Sequence, residues 1–124
     1  MPITRQGFRN VGITNISNGV LSRAFGDLSV TTATETTICS LVVPALKFVR
    51  LAGVYGEGKV DGIFRLYVNA TKIWQGRNAW TERNVSSEVN YDAYAGETIY
   101  LKVIHTNGVS KPFSGTFWGY ENDI

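Results

Sequence analysis

The chain has 124 residues, 44% hydrophobic, 12% aromatic and 18% charged, which is enough for one core burying about two-thirds of the unfolded surface and too little for two. A single cysteine and a single histidine exclude an internal disulfide, zinc ribbons and multi-histidine metal sites. The formal net charge of +2 is too small a bias to point to nucleic acid or an acidic membrane.

Residues 1–25 carry Arg5, Arg9 and Arg23 and no acid. Their apolar side chains, Ile3 and Phe8 among them, are scattered between Gly, Asn and Ser without a sustained period. This reads as an extended N-terminal arm that packs onto something else, with residues 26–124 as the folded domain. The amino terminus lacks the apolar stretch of a signal peptide. The longest apolar segment, 41–54, contains Lys47 and Arg50 and is too short to span a bilayer. Synthesis and folding in a cytoplasm are therefore expected.

From Asp27 onward the period is two. Strands are predicted over 28–32, 36–43, 47–55, 62–69, 71–77, 84–91, 98–106 and 112–120. Pro44-Ala45 breaks the second run, because proline cannot donate to a ladder. Gly56 to Lys59, Asn69-Ala70, Ala95-Gly96-Glu97 and Asn107-Gly108 supply turns. Thirty-four β-branched residues (13 Val, 9 Ile, 12 Thr) beside 13 Gly and 3 Pro agree with short strands and many turns. The prediction is an all-β, antiparallel two-sheet β-sandwich of eight strands, jelly-roll-like or a related Greek key. An eight-stranded closed barrel is the alternative. Strands 47–55 and 98–106 carry apolar residues on both faces, which predicts that the second face also meets protein and that the chain is a homo-oligomer, a trimer by expectation.

No constellation of catalytic residues stands out. His105 continues the alternation of Ile99, Leu101 and Val103 into a turn, the position of a satisfied histidine at a strand end. Cys39 lies inside an apolar strand and reads as core. Glu57 with Asp61 and Glu88 with Asp92 are the nearest carboxylate pairs, and both flank turns or strand ends, where surface charge explains them. No Asp-x-Asp-x-Asp loop, phosphate loop or nucleophile elbow occurs, so no metal, cofactor or enzymatic activity is expected. Trp74, Trp80, Tyr94 and Trp118 could form an aromatic ligand platform or part of an interface.

The order Val43-Pro44-Ala45, then Leu51-Ala52-Gly53-Val54, Phe64-Arg65-Leu66-Tyr67-Val68-Asn69, Gln75-Gly76-Arg77, Ala95-Gly96-Glu97-Thr98-Ile99-Tyr100-Leu101-Lys102-Val103 and His105-Thr106-Asn107-Gly108 resembles small β-sandwich structural proteins of tailed bacteriophages. These include capsid cement (decoration) proteins and tail modules. The resemblance covers residues 36–120 and implies a non-enzymatic virion component, often trimeric, that clamps neighbouring capsid subunits. On this reading the partner is the major capsid protein, no nucleic acid or membrane is bound, and Ile3, Arg5, Phe8, Arg9, Arg23 and Phe25 make the contacts. Apolar anchors would lose water on docking, and the arginines would meet acidic shell surface. The competing expectation is a carbohydrate- or receptor-binding module of a tail or fibre. A structural module of the tail or baseplate is the third.

Overall fold

In a computed structural model, residues 9–10, 12–13, 19–78 and 82–124 are described. Arg9–Asn10 (β1) and Gly12–Ile13 (β2) form a short antiparallel ladder, with Arg9 opposite Ile13. Eight longer strands follow: Val20–Val30 (β3), Thr36–Val42 (β4), Lys47–Gly58 (β5), Ile63–Val68 (β6), Thr71–Arg77 (β7), Asn84–Tyr94 (β8), Thr98–Ile104 (β9) and Lys111–Asp123 (β10). They make two antiparallel sheets of four, in the orders β3-β10-β5-β8 and β4-β9-β6-β7. Consecutive strands thus alternate between the sheets except at the β6–β7 hairpin, the strand order of a jelly roll. The predicted sandwich stands, and among the described residues there is no helix.

Alternation builds the core. Leu51, Val54, Phe113 and Phe117 from one sheet meet Phe64, Leu66, Ile99, Leu101 and Val103 from the other, all with no more than 1% of their surface exposed. Two breaks in the ladders redirect side chains. In β4 the pairing with β9 shifts between Thr37 and Cys39, so Ile38 and Cys39 are both buried. In β5 the extra residue is Ala52: Leu51 pairs with Gly119 and Gly53 with Trp118, although Trp118 and Gly119 are adjacent. Such a bulge changes which face the following residues present. Val54, Gly56 and Gly58 therefore turn inward, while Tyr55 and Glu57 turn outward.

The first long strand begins earlier than its sequence suggests. β3 starts at Val20 and pairs with β10 along its whole length, from Val20 opposite Glu121 to Val30 opposite Lys111. Arg23 and Phe25, read from the sequence as part of the arm, lie in this edge strand. The pattern misled because its polarity is inverted: small residues (Ser22, Ala24, Gly26) face the other sheet, while Leu21 and Phe25 face solvent. Close approach of β4 requires this, since a methyl group on Gly26 would collide with the carbonyl oxygen of Ile38.

The loops are tied by specific polar contacts. Asn69 takes a left-handed φ of 53° in the two-residue β6–β7 turn, and its Oδ1 accepts from Thr98 N–H at 2.9 Å. Asn78, 1% exposed, accepts from Gly62 N–H at 2.7 Å and donates to the carbonyls of Val60 at 2.9 Å and of Gly58 and Arg83 at 3.3 Å. One buried amide thus joins the β5–β6 turn to the β7–β8 connection and satisfies backbone groups that would otherwise be orphaned.

The Gly26–Ile38 contact gives a direct test. Gly26→Ala inserts a methyl group against backbone, which cannot swing aside, so the variant is expected to lose about 2 kcal/mol or more in urea unfolding. Ser22→Ala, on the same face of the same strand, is expected to stay within about 1 kcal/mol of the parent.

Candidate interaction surfaces

The outer face of the β3-β10-β5-β8 sheet is built in rows set by strand register: Leu21–Tyr120–Arg50–Asp92, then Arg23–Trp118–Gly53–Glu88, then Phe25–Thr116–Tyr55–Ser86. Trp118 lies across Gly53, where a side chain would run into the indole. Arg50 clamps Asp92 through two bonds, Nε to Oδ1 at 2.7 Å and Nη2 to Oδ2 at 2.8 Å. This cross-strand fork holds the guanidinium still more firmly protonated than usual and locks β5 to β8. At one end of the face, Phe48 and Tyr94 stack with centroids 6.2 Å apart. Leu21, Arg23, Thr116, Trp118 and Tyr120 line a shallow groove along β3.

Three exposed apolar side chains stand on this face: Phe25 is 67% exposed, Tyr94 54% and Leu21 51%. The expectation from sequence placed the apolar excess on the central strands β5 and β9. In the structure no exposed large hydrophobic side chain lies on β5 or β9, and on β5 the Ala52 bulge turns Val54 inward.

The predicted aromatic platform does not assemble as one surface. Trp74 pairs opposite Leu66 on β7 and packs half-buried against the core. Tyr94 and Trp118 lie on the outer face of the other sheet, on strands separated by β5. Trp80 lies outside the described residues, as do Ile3, Arg5 and Phe8 and the side chain of Arg9.

The opposite outer face, on β4-β9-β6-β7, is of different chemistry. Its rows run Ser40–Tyr100–Tyr67–Lys72 and Thr37–Lys102–Arg65–Gln75, with Ile104–Ile63–Arg77 beyond. Arg65 Nη1 donates to Glu35 Oε2 at 2.9 Å, and Tyr67 OH donates to the same oxygen at 3.2 Å. Burial first, and then Glu35, keep the Tyr67 phenol protonated above its ordinary range. Nothing singled this face out in the sequence, because its cations come from three separate strands and converge only through register.

The remaining candidate groups are structural. His105 is 2% exposed. Its Nδ1 accepts from Asn107 N–H at 3.2 Å, so Nε2–H donates to the Val30 carbonyl at 2.7 Å. Both ring nitrogens are occupied, as the strand-end reading anticipated. Asp92 is taken by Arg50, and Glu57 accepts from Tyr55 OH at 2.5 Å, so neither carboxylate pair forms an open acid–base site. Among the described residues no three His, Cys, Asp or Glu side chains come together to hold a metal ion. No helix of the described residues is long and apolar enough to cross a membrane.

No family model matches the sequence, and no curated protein sequence matches it. In three dimensions the chain is similar to a chain of the cyanophage Pam1 capsid asymmetric unit, with a TM-score of 0.56 at 15% identity. The alignment covers 97% of this chain and 99% of that one. The likeness is one of fold, and it runs from end to end of two chains of nearly equal length.

Cys39 supplies the test of the core assignment. Burial pushes its thiol from 9.0 up to about 12, so it should resist a disulfide reagent in the native protein and react at once on unfolding. A folded value above the unfolded one means the group's contribution is present at neutral pH and lost as pH rises through that interval. Stability of the parent should therefore fall more steeply above pH 9.0 than that of Cys39→Ala, measured by urea unfolding at each pH.

Proposed function

We propose that the chain is a bacteriophage capsid cement protein: a non-enzymatic virion component that binds the assembled shell and stabilises it. The observation that carries this reading is the end-to-end likeness to a chain of a phage capsid asymmetric unit. The apolar edge of β3 supports it, since Val20, Leu21 and Phe25, inside the span read from the sequence as the arm, are all exposed. The partner would be the major capsid protein. Attachment would involve Leu21, Arg23, Phe25 and the Trp118–Tyr120 groove, together with Ile3, Arg5, Phe8 and Arg9 of the arm. Binding to assembled shell and not to its dissociated subunits stabilises the shell by mass action. A trimer would match a threefold position of the shell.

Purified protein added to shells lacking it provides the test. Saturation is expected at hundreds of copies per particle, with a raised temperature of shell disruption. Changing Leu21 and Phe25 together to Ser should weaken attachment by about 2 kcal/mol or more, the range for desolvated apolar anchors. Arg5→Glu with Arg9→Glu should weaken it more at low salt than at high salt, because screening removes the repulsion. A handful of copies confined to the tail, or full attachment of the Leu21/Phe25 variant, would overturn the proposal. The arm assignment is checked separately. Deleting residues 1–18 should leave a cooperative β-type unfolding transition, whereas deleting 1–25 removes half of β3 and should not.

A further inference from the structure

The outer face of the β4-β9-β6-β7 sheet carries four cations, Arg65, Lys72, Arg77 and Lys102, and one carboxylate, Glu35. All ten acidic side chains of the chain lie in the described residues, so no undescribed acid can neutralise this surface. The ion pairs among the described residues are Lys47–Asp123, Arg50–Asp92 and Arg65–Glu35, which leaves Lys72, Arg77 and Lys102 without a carboxylate. Asp61 stands at the margin, lining the same cleft as Arg65 and Arg77, yet it pairs with neither.

Two details give the face its chemistry. Lys102 Nζ stands 5.0 Å from the Tyr67 ring centroid and 5.2 Å from that of Tyr100, so the ammonium is held between two phenols. Gln75 Oε1 accepts from Arg65 Nε at 3.1 Å and from Lys72 Nζ at 2.9 Å. A neutral amide thus fills the place where a glutamate would cancel two charges, and the cations are positioned without being neutralised.

From this we infer that the β4-β9-β6-β7 face is a docking surface for a protein partner rich in exposed carboxylates. The chain displays the recognition once on itself, where the Glu35 carboxylate is gripped by Arg65 and by the Tyr67 hydroxyl. Lys102 beside Tyr100, with Lys72 and Arg77 flanking, offers the same cation-and-phenol donors to carboxylates from outside. Arginine and tyrosine are enriched in protein interfaces. A nucleic acid fits less well, since few cations reach phosphates at once and Glu35 would oppose a continuous line of them. This inference goes beyond shell attachment through β3 and the arm, and it uses the opposite face.

The test uses the full chain with labelled poly-L-glutamate and, separately, a double-stranded DNA oligomer, both followed by fluorescence anisotropy at low salt. Saturable binding to poly-L-glutamate is expected. Arg77→Gln with Lys102→Gln should weaken it about three- to tenfold. Gln75→Glu, which removes no cation, should weaken it as well. Lys59→Gln with Lys111→Gln, an equal charge loss elsewhere, should leave it nearly unchanged. Equal loss in that control would assign binding to net charge alone and overturn the inference. So would the absence of saturable binding, or tighter binding to DNA than to poly-L-glutamate. No shell is present in these measurements, so the inference can fail while the cement reading survives, and the reverse.

Discussion

One extra residue, Ala52, decides how the two sheets meet. Without that bulge, Tyr55 and Glu57 would point into the sandwich, and Gly56 and Gly58 would point out of it. With it, the two glycines face inward and make room for rings: Phe64 lies over Gly56, and Phe113 lies over Gly58. The two phenylalanines then pack edge to face with centroids 5.8 Å apart, the geometry that aromatic quadrupoles favour. A β-carbon at either glycine would push a ring toward the other sheet, and close-packed interiors accommodate such shifts poorly. The His105 ring completes the stack 5.2 Å from Phe113, and its bond to Val30 ties the end of β9 to the end of β3. A local break in one ladder therefore sets both the spacing of the sheets and the closure of one end of the molecule.

The same break separates the chemistry of the outer surface. Once the phase of β5 has changed, Tyr55 and Glu57 join Arg50 and Phe48 on the outside, beside Trp118 and Tyr120 of β10. That face becomes aromatic, with Asp27, Glu57 and Glu88 among its charges. The facing sheet has no such aromatic band. Its central strands β6 and β9 present Arg65 and Lys102 with tyrosines. Two faces of opposite character on a small body favour two different neighbours, and electrostatic complementarity then selects partner and orientation more than it adds affinity.

The sequence carried the strand count and the turns because period-two alternation and Gly, Pro and Asn punctuation are local signals. Seven of the eight strands fall where alternation placed them, with boundaries shifted by no more than about three residues, whereas β3 begins at Val20 and not at the predicted Leu28. What it hid was relational. Residues 20–27 look irregular because β4 comes so close that only small side chains fit inside, so alternation survives with its sense reversed. Bulges at Ala52 and near Ile38 cannot be read from one strand, since each is a mismatch between two. Trp74 reads like an exposed ring beside a polar loop until Leu66 is placed opposite it. Asn78 resembles any loop asparagine, and its four hydrogen bonds reach segments up to 20 residues away. The cationic face is assembled from β6, β7 and β9 and has no run of charge to mark it.

The four sheet edges are guarded unequally, which bears on how such a body meets a larger assembly. An unpaired edge invites strand addition and is normally blunted by charge, polarity or shortness. β4 is short and presents Thr37 and Ser40; β7 presents Lys72 and Arg77; β8 presents Asn84, Ser86 and Glu88 along most of its length. β3 is eleven residues long, and it alternates Leu21 and Phe25 with small side chains. Arg23 and Asp27 are its only charges. Left uncovered, this strand combines unpaired backbone groups with exposed apolar side chains, an arrangement that favours uncontrolled association. A body built this way is best suited to having that edge covered, and the arm predicted over residues 1–25 runs into this strand, so it would bring its own contacts to the same place. Coverage of β3 would hide the one weakly guarded edge, and the polar edges would remain in solvent.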